Sequence, residues 1–277
     1  MQKARNYVES FALPASVAEF GKENEGNYAD KKARGWYYDG EASRPFHRLT
    51  ADVLAASLHC FIAVSESRAG EESDLPPGAS KIKGLPHLPP GFGWPAGALF
   101  LAQFNLEDLA PQDIQQLLPA TGMMYFFFNP NTATGTVYYY TGALDILSLR
   151  PYPESGNDSL GYFLEEYRDR RYQATFRKKA AFCIDDILEQ LPDMLKNEVS
   201  GMLDCPLASR AIGDNLFGQP GYWQGENEII GDKQMEEEAD VLLFQYEFGE
   251  GHIHFWVSAA ELEARDFSKV WLSYSGT

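Results

Sequence analysis

One short phrase that occurs twice constrains this chain more than any other feature of its sequence. Both copies open with a Gly-x-Pro turn, continue through a strand of the form Leu-x-Gln-aromatic, and reach a strand that begins at Gly and ends at Phe. Corresponding parts of the two copies lie at similar spacings along the chain, so the sequence predicts an internal duplication. The copies are Gly84–Pro86, Leu101–Phe104 and Gly122–Phe126, then Gly218–Pro220, Leu243–Tyr246 and Gly251–Phe255.

The segments around the two copies predict an α+β fold. Met123–Phe128 and Leu58–Val64 are nearly continuous apolar runs, typical of strands covered on both faces. Asp185–Met202 carries an apolar stripe at helical spacing, and Ser258–Glu261 has the form of a capping box. We therefore expect a mixed, largely antiparallel sheet built from two related halves, with an N-terminal extension.

The domain organisation follows from where this patterning begins. Residues 1–57 are polar and weakly periodic, which predicts a partly helical extension. Residues 58–277 are predicted to form one domain, with a first half at about 58–150 and a second at about 160–277. A chain of 277 residues, 44% of them hydrophobic, is long enough for one large core or two fused small ones.

A loop rich in proline and glycine follows the first Gly-x-Pro turn. Residues 84–95 contain four prolines and three glycines, which remove backbone donors and permit positive φ, so this stretch is not helical. We expect an ordered loop, anchored by aromatic side chains such as Trp94, that either plugs the core or forms the wall of a pocket.

Charge and cysteine content limit the partners and the compartment. The formal net charge of −17 disfavours nucleic acid and anionic membranes and is compatible with a basic protein partner, although net charge also simply keeps a protein soluble. The three cysteines lie far apart, and the N-terminal residues lack the apolar core of a signal peptide. These features predict a cytoplasmic protein without a membrane segment.

Four residues are candidates for a binding site: Trp94, Gln103, Trp223 and Gln245. The two glutamines occupy equivalent places in the two copies, and a buried amide needs hydrogen-bond partners. Either the amides converge at the seam between the halves and hold a ligand, or each one ties down its own Gly-Pro loop. The second arrangement is the commoner use of a buried polar side chain.

The sequence gives little support for catalysis or for a resident cofactor. It contains no Gly-x-Ser-x-Gly, no Walker loop and no dinucleotide fingerprint, so no catalytic residue and no cofactor are assigned. His252 and His254 lie two apart on a predicted strand and could bind zinc or copper together with Glu247 or Glu250. The alternative is a half-buried strand that shows its histidines to solvent, and no metal site is assigned.

Several motifs in order resemble the YwqG-like family of uncharacterised bacterial proteins. They are Ser80–Pro89 with Trp94-Pro95, Phe100–Leu106, Leu118–Phe126, Gly218–Pro220 with Gln224, Leu242–Gln245 and Asp266–Trp271. The chain departs from the family at Lys83, where a second glycine is usual, and at Gly249–Gly251, where the usual turn contains an aspartate. The resemblance implies an α+β fold with a mixed sheet and a duplication, and it implies no reaction.

Two functional hypotheses follow. The first is a non-enzymatic binding protein, for example an immunity-type inhibitor of a basic toxin, and it rests on the acidic charge and the missing catalytic motifs. The second is a small-molecule-binding protein or an unassigned hydrolase with its site at the seam between the halves. The sequence slightly favours the first.

Overall fold

The computed structural model describes residues 58–154, 157–182, 213–221 and 240–276. The chain divides into two compact units, one of Met1–Cys60 with Lys179–Arg210 and one of Phe61–Lys178 with Ala211–Thr277. Nearly all of the first unit lies outside the described residues, so the fold reported below is that of the second.

The described part of the chain is built mainly from strands. Ten of them form one sheet, and every strand pairing with a defined register is antiparallel. Two short strands, β3 and β7, form a separate antiparallel pair. The strands are β1 (Leu58–Arg68), β2 (Lys81–Lys83), β3 (His87–Leu88), β4 (Leu99–Asn105), β5 (Met123–Asn129), β6 (Thr134–Tyr140), β7 (Ser148–Leu149), β8 (Arg171–Phe182), β9 (Asn215–Leu216), β10 (Asp240–Phe248), β11 (Gly251–Ser258) and β12 (Trp271–Gly276). The α-helices are α1 (Leu106–Leu109), α2 (Asn157–Asp169) and α3 (Ala259–Ala264).

The order of strands in the sheet reads alike from its two ends. It is β12-β11-β10-β9-β1-β8-β2-β4-β5-β6, with a three-stranded meander at each end. The long strands β1 and β8 lie side by side in the middle, where the Ala69 amide donates to the Arg171 carbonyl at 3.1 Å. Each long strand pairs on its other side with the short strand of the other predicted half, since β1 pairs with β9 and β8 with β2.

Aromatic rings fill the inside of this sheet. Phe104 and Phe126, from β4 and β5, contact Phe244 of β10 at ring-centroid distances of 5.1 and 4.7 Å, although these strands are not neighbours in the sheet. The edge strands also approach each other, because a Cβ added at Gly135 of β6 would lie 2.8 Å from Leu272 of β12. The sheet is therefore curled into a nearly closed, barrel-like form around a core of buried rings.

The predicted α+β class with a mixed sheet is wrong for the described residues. Strands account for 45% of them, and three α-helices are present, one of which has only four residues. The longest, α2, packs Phe163 and Tyr167 against the inward-facing Phe248 of β10 at 5.2 and 5.6 Å. Because the sheet curls on itself, this helix packs against interior rings and does not cover a flat face. The helix predicted over Asp185–Met202 lies outside the described residues, as does the extension at 1–57, and the domain boundaries stay predictions.

None of the described helices is long and apolar enough to cross a membrane.

The glycines that open β5 and β11 are required by close backbone packing. A Cβ on Gly122 would lie 2.6 Å from the Tyr140 carbonyl oxygen, and one on Gly251 would collide with the Ser275 carbonyl oxygen in the corresponding place. Gly122 also has φ +106, which residues with a side chain rarely adopt. The same steric requirement therefore explains the glycine at the start of both Gly-to-Phe strands in the repeated phrase.

Replacing Gly122 by alanine is expected to lower the free energy of unfolding by about 2–3 kcal/mol, because strain at positive φ adds to a backbone collision. Urea unfolding measures this cost. Gly249→Ala is the matched control, since Gly249 has φ +60 and an added Cβ would have no neighbour within 4 Å in the described part of the chain, and it should cost only about 1 kcal/mol. Equal costs at the two positions would show that the collision is relieved.

Candidate functional site

Gln103 of β4 ties down the loop that follows the first Gly-x-Pro turn. Its side chain is fully buried, its Nε2 donates to the Ala79 carbonyl at 2.8 Å, and its Oε1 accepts from the His87 amide at 2.8 Å. The Tyr125 hydroxyl donates to the His87 carbonyl at 2.8 Å. The backbone N–H and C=O of His87 are thus both bound by side chains of the sheet, which fixes the position where the loop starts.

Gln245 of β10 does the same in the second copy. Its Nε2 donates to the Gly213 carbonyl at 2.9 Å, and its Oε1 accepts from the Gly221 amide at 2.7 Å. Lys83 and Phe217, which precede the two turn glycines, both have positive φ, at 59° and 61°. The two copies therefore match in hydrogen bonds and in backbone conformation, as expected if each glutamine is a loop tether.

The two glutamines do not meet at a shared pocket. Four strands lie between β4 and β10 in the sheet. Each glutamine also follows or precedes a residue whose ring packs in the interior, Phe104 and Phe244, so both side chains point to the outer face. Trp223 lies outside the described residues, and a ligand-binding role for the four candidates stays a prediction.

Trp94 anchors the loop that Gln103 tethers. Its indole Nε1 donates to the Ala98 carbonyl at 3.0 Å, and its ring packs on Tyr152 at 4.8 Å and Phe127 at 5.3 Å. Phe92 packs on the same layer, stacked on Phe127 at 5.6 Å. The loop therefore covers the outer face of the first meander and, unlike one of the two expected arrangements, does not plug the core inside the curled sheet.

The loop also forms one wall of a cleft, which is the other expected arrangement. The opposite wall is the outer face of the edge strand β6, and the cleft has a volume of about 280 Å³. Sequence reasoning found the loop but missed the strand wall, although Tyr138 and Tyr140 alternate along β6 in the pattern of one exposed face. The lining residues are Pro89, Pro90, Gly91, Phe92, Gly93, Pro95, Thr136, Tyr138 and Tyr140.

Of the three exposed large apolar side chains in the described residues, Tyr138 lines this cleft. The three are Tyr138 at 37%, Ile146 at 51% and Leu149 at 38% of their accessible surface. Leu149 is on β7, which pairs with β3 immediately before the proline loop, and Ile146 is three residues earlier.

The second meander carries a histidine at the position where the first carries a tyrosine. His254 of β11 lies where Tyr125 lies in β5; its Nε2 is 3.1 Å from Gln245 Oε1, and Ser273 of β12 lies opposite it. Burial lowers the pKa of His254 to about 3 and also lowers the pKa of His252, so both rings are neutral at physiological pH. His252 Nδ1 is buried, and no residue in the described ranges forms a hydrogen bond with it.

The histidine pair does not form a metal centre with other described residues. Both rings are buried, which differs from the solvent-facing arrangement considered for this strand. Within residues 58–154, 157–182, 213–221 and 240–276, no group of three or more His, Cys, Asp or Glu side chains is placed to hold a metal ion.

A pair of carboxyl groups that sequence reasoning missed lies beside the second tether. Asp214 hydrogen-bonds with Glu66 of β1, and its Oδ1 accepts from the Glu247 amide at 2.7 Å. Burial, together with the charges of Glu66 and Glu247, raises the pKa of Asp214 to about 8. No sequence motif marks this pair, because the two residues are far apart along the chain and meet only where β1 pairs with β9.

A buried cation stabilises the Gly-x-Pro turn of the first half. Lys81 is fully buried, and its Nζ donates to Glu72 at 3.0 Å and to the Leu85 carbonyl. The other Glu72 oxygen accepts from the Leu85 amide at 2.7 Å. Burial lowers the pKa of Lys81, although its partner Glu72 opposes that shift. With both groups committed to backbone and to each other, this pair holds the Gly-x-Pro turn.

Comparison with known proteins places the chain in a family but gives it no activity. A family model described as a domain of unknown function, DUF1963, matches residues 80–275. That range contains both glutamine tethers and the whole cleft. A comparison with curated proteins found no match. Since the matched range is most of the chain, the protein belongs to the DUF1963 family.

Proposed function

We propose that this protein is a non-enzymatic binding protein whose partner is a basic protein. The observation that carries the proposal is the net charge of −17, from 40 acidic against 23 basic residues. A field of this sign attracts a basic partner over several ångströms of solvent and accelerates its association. An immunity-type inhibitor of a basic toxin or nuclease is one concrete form of this function.

The alternative with a small molecule at the seam has less support. It needs two glutamine amides that are free to hold a ligand, and both amides already bond to the backbone of their own loops. It also needs them close together, whereas four strands separate them along the sheet. A binding protein needs neither condition.

The proposal extends to the subfamily, the duplication and the location of the protein. Within DUF1963, the quoted motifs support a YwqG-like bacterial protein. The matched tethers, bulges and turn conformations support an internal duplication, since β4 and β10 both shift register two to three residues before their glutamines. A basic intracellular partner agrees with a cytoplasmic location.

The charge proposal predicts association that depends strongly on salt. The protein would be immobilised, partners captured from its host lysate, and each one purified for stopped-flow measurement at about 50 mM and about 500 mM salt. We expect a basic partner whose association rate falls about tenfold or more at the higher salt, because screening removes the steering.

A charge-reduced variant controls this experiment. Glu107, Glu154 and Glu263 are exposed, so replacing all three by glutamine should slow association with little effect on folding. The proposal would be rejected if the folded protein captured no partner at either salt concentration. It would also be rejected if the association rate of the partner changed neither with salt nor with the charge-reduced variant.

A further inference from the structure

We infer that the cleft between the proline loop and β6 is the docking site for an extended, proline-containing segment of the partner protein. This inference rests on the proposed binding function and adds where the partner docks and what chemistry is recognised. The cleft is the place where the exposed Tyr138 of the edge strand faces a rigid loop rich in proline.

The lining excludes a charged ligand as the occupant. Among the described residues it consists of three prolines, three aromatic rings, two glycines and one threonine, with no acidic or basic side chain. A phosphate, a carboxylate or a buried arginine would therefore lose its hydration without gaining a counter-charge, which is costly. The occupant is uncharged where it enters the cleft, and the charge of the chain acts on the rest of the partner.

The arrangement of the rings favours a flat, rigid apolar group. Phe92 meets Tyr138 edge to face, with centroids 4.8 Å apart and planes at 69°, so the rings form an angular trough. Aromatic-lined grooves of this form bind polyproline II segments, whose proline rings pack against the aromatic faces. The volume of about 280 Å³ lies just below the range of about 300–1,000 Å³ for small-molecule pockets, and it suits one or two side chains.

The hydroxyl groups supply donors of the kind that such a segment needs. A polyproline II backbone leaves its carbonyl groups free to accept, because it has no internal hydrogen bonds. Tyr138 is exposed, and its hydroxyl makes no hydrogen bond to the protein in the part of the chain that is described. Tyr140 donates to the Ala143 carbonyl at 3.3 Å beside it. Tyr138 is therefore placed to donate to a carbonyl of the bound segment.

The loop wall is preorganised, which lowers the entropic cost of docking. Pro89, Pro90 and Pro95 fix three φ angles, the Phe92 amide donates to the Pro89 carbonyl at 3.3 Å, and Trp94 anchors the far end. A site that is already ordered loses little freedom on binding. The first tether, through the His87 amide, sets where this wall begins.

Gly93 offers a way to block the cleft without disturbing the fold. It lines the cleft, its φ is not in the left-handed region, and a Cβ added there would have no described residue within 4 Å. Gly93→Leu should therefore fill the trough while folding as the wild type does. Tyr138→Thr removes the exposed ring from the other wall and keeps a residue that suits a strand. Glu263→Leu adds the same leucine at an exposed position outside the lining and serves as the control.

The probes are two synthetic peptides of equal charge, one proline-rich with flanking arginines and one with glycine and serine in place of the prolines. We expect the wild type and Glu263→Leu to bind the proline peptide at least about tenfold more tightly than the glycine-serine peptide. Both cleft variants should lose that preference, and Gly93→Leu should keep the wild-type unfolding midpoint. Equal affinity for the two peptides, or a preference that survives Gly93→Leu, overturns the inference. Displacement of the proline peptide by a neutral oligosaccharide of higher affinity also overturns it, in favour of a glycan.

The same variants separate failure of this inference from failure of the proposed function. A basic partner that binds Gly93→Leu as well as the wild type leaves the binding function standing and removes the cleft as its site. If the proline peptide binds in the cleft but the protein has no basic partner with salt-dependent association, the cleft remains a docking site and the proposed function is rejected.

Discussion

Replacing Gln103 by leucine is expected to lower the free energy of unfolding by about 3–5 kcal/mol. The leucine keeps most of the buried volume but leaves the Ala79 carbonyl and the His87 amide without their partners inside the protein. Each buried, unsatisfied backbone group costs about 1–3 kcal/mol, and two are created at once. Chemical unfolding followed by tryptophan fluorescence measures the difference.

Two further variants test whether tethering is the cause. Gln173→Leu changes an exposed glutamine on β8 and should alter stability by no more than about 0.5 kcal/mol. Gln245→Leu should cost about as much as Gln103→Leu, and the two costs should add, since four strands separate the sites. A small effect at Gln103, similar to that at Gln173, would show that water replaces the glutamine and that the loop needs no tether.

The tether prediction extends to the cleft. Because Gln103 fixes the His87 amide at the start of the proline loop, its loss should loosen the loop wall before it unfolds the sheet. Gln103→Leu is thus expected to weaken binding of the proline peptide, whereas Gln245→Leu, with the same loss of stability, is expected to leave that binding unchanged. The comparison distinguishes a positioning role from general destabilisation.

The strands and their landmarks could be predicted from the sequence because they rest on local chemistry. The Gly-x-Pro turns, the Gln of each Leu-x-Gln motif and the glycine at each strand entry all have a near-neighbour cause, such as the collision of a Cβ at Gly122 with the Tyr140 carbonyl oxygen. The capping box at Ser258 is confirmed, with its hydroxyl accepting from the Glu261 amide at 3.2 Å.

The fold class was predicted wrongly because it depends on how strands are ordered, which local patterns do not encode. An apolar run such as Met123–Phe128 is equally compatible with a sheet covered by helices and with a sheet that curls around its own rings. The pairing of β1 with β9, and of β8 with β2, joins segments more than 80 residues apart along the chain. No local sequence pattern specifies that the long strand of each half pairs with the short strand of the other half.

The same reason limits prediction of the site. Phe92 and Tyr138 are far apart in sequence and become the two walls of one cleft only when β6 takes the edge of the sheet. Asp214 and Glu66 meet only through the pairing of β1 with β9. Trp94 was identified correctly as a loop anchor because its Pro-rich neighbours already exclude regular structure.

Asp214 is expected to contribute a large part of the pH dependence of the free energy of unfolding. Its folded-state pKa of about 8 lies well above the ordinary value of 3.8, so the native protein keeps a proton that the unfolded chain loses. This stabilisation is complete below about pH 4 and is lost as the pH rises through about 8, with a slope of up to about 1.4 kcal/mol per pH unit. The groups that face this carboxyl are Glu66 on β1, Glu247 and Tyr246 on β10, and Tyr167 on α2.

Asp214→Asn is expected to remove this dependence. The amide keeps an oxygen to accept from the Glu247 backbone and gains a permanent donor toward Glu66, so it reproduces the protonated aspartic acid. The variant should match the wild type near pH 4.5 and exceed it by about 3 kcal/mol near pH 8 in urea unfolding. Asp145→Asn, which removes an exposed carboxylate from the same chain, should give a curve parallel to that of the wild type. A constant difference between Asp214→Asn and the wild type across this range would mean that Asp214 is ionised in the native protein, and the shared proton with Glu66 would have to be abandoned.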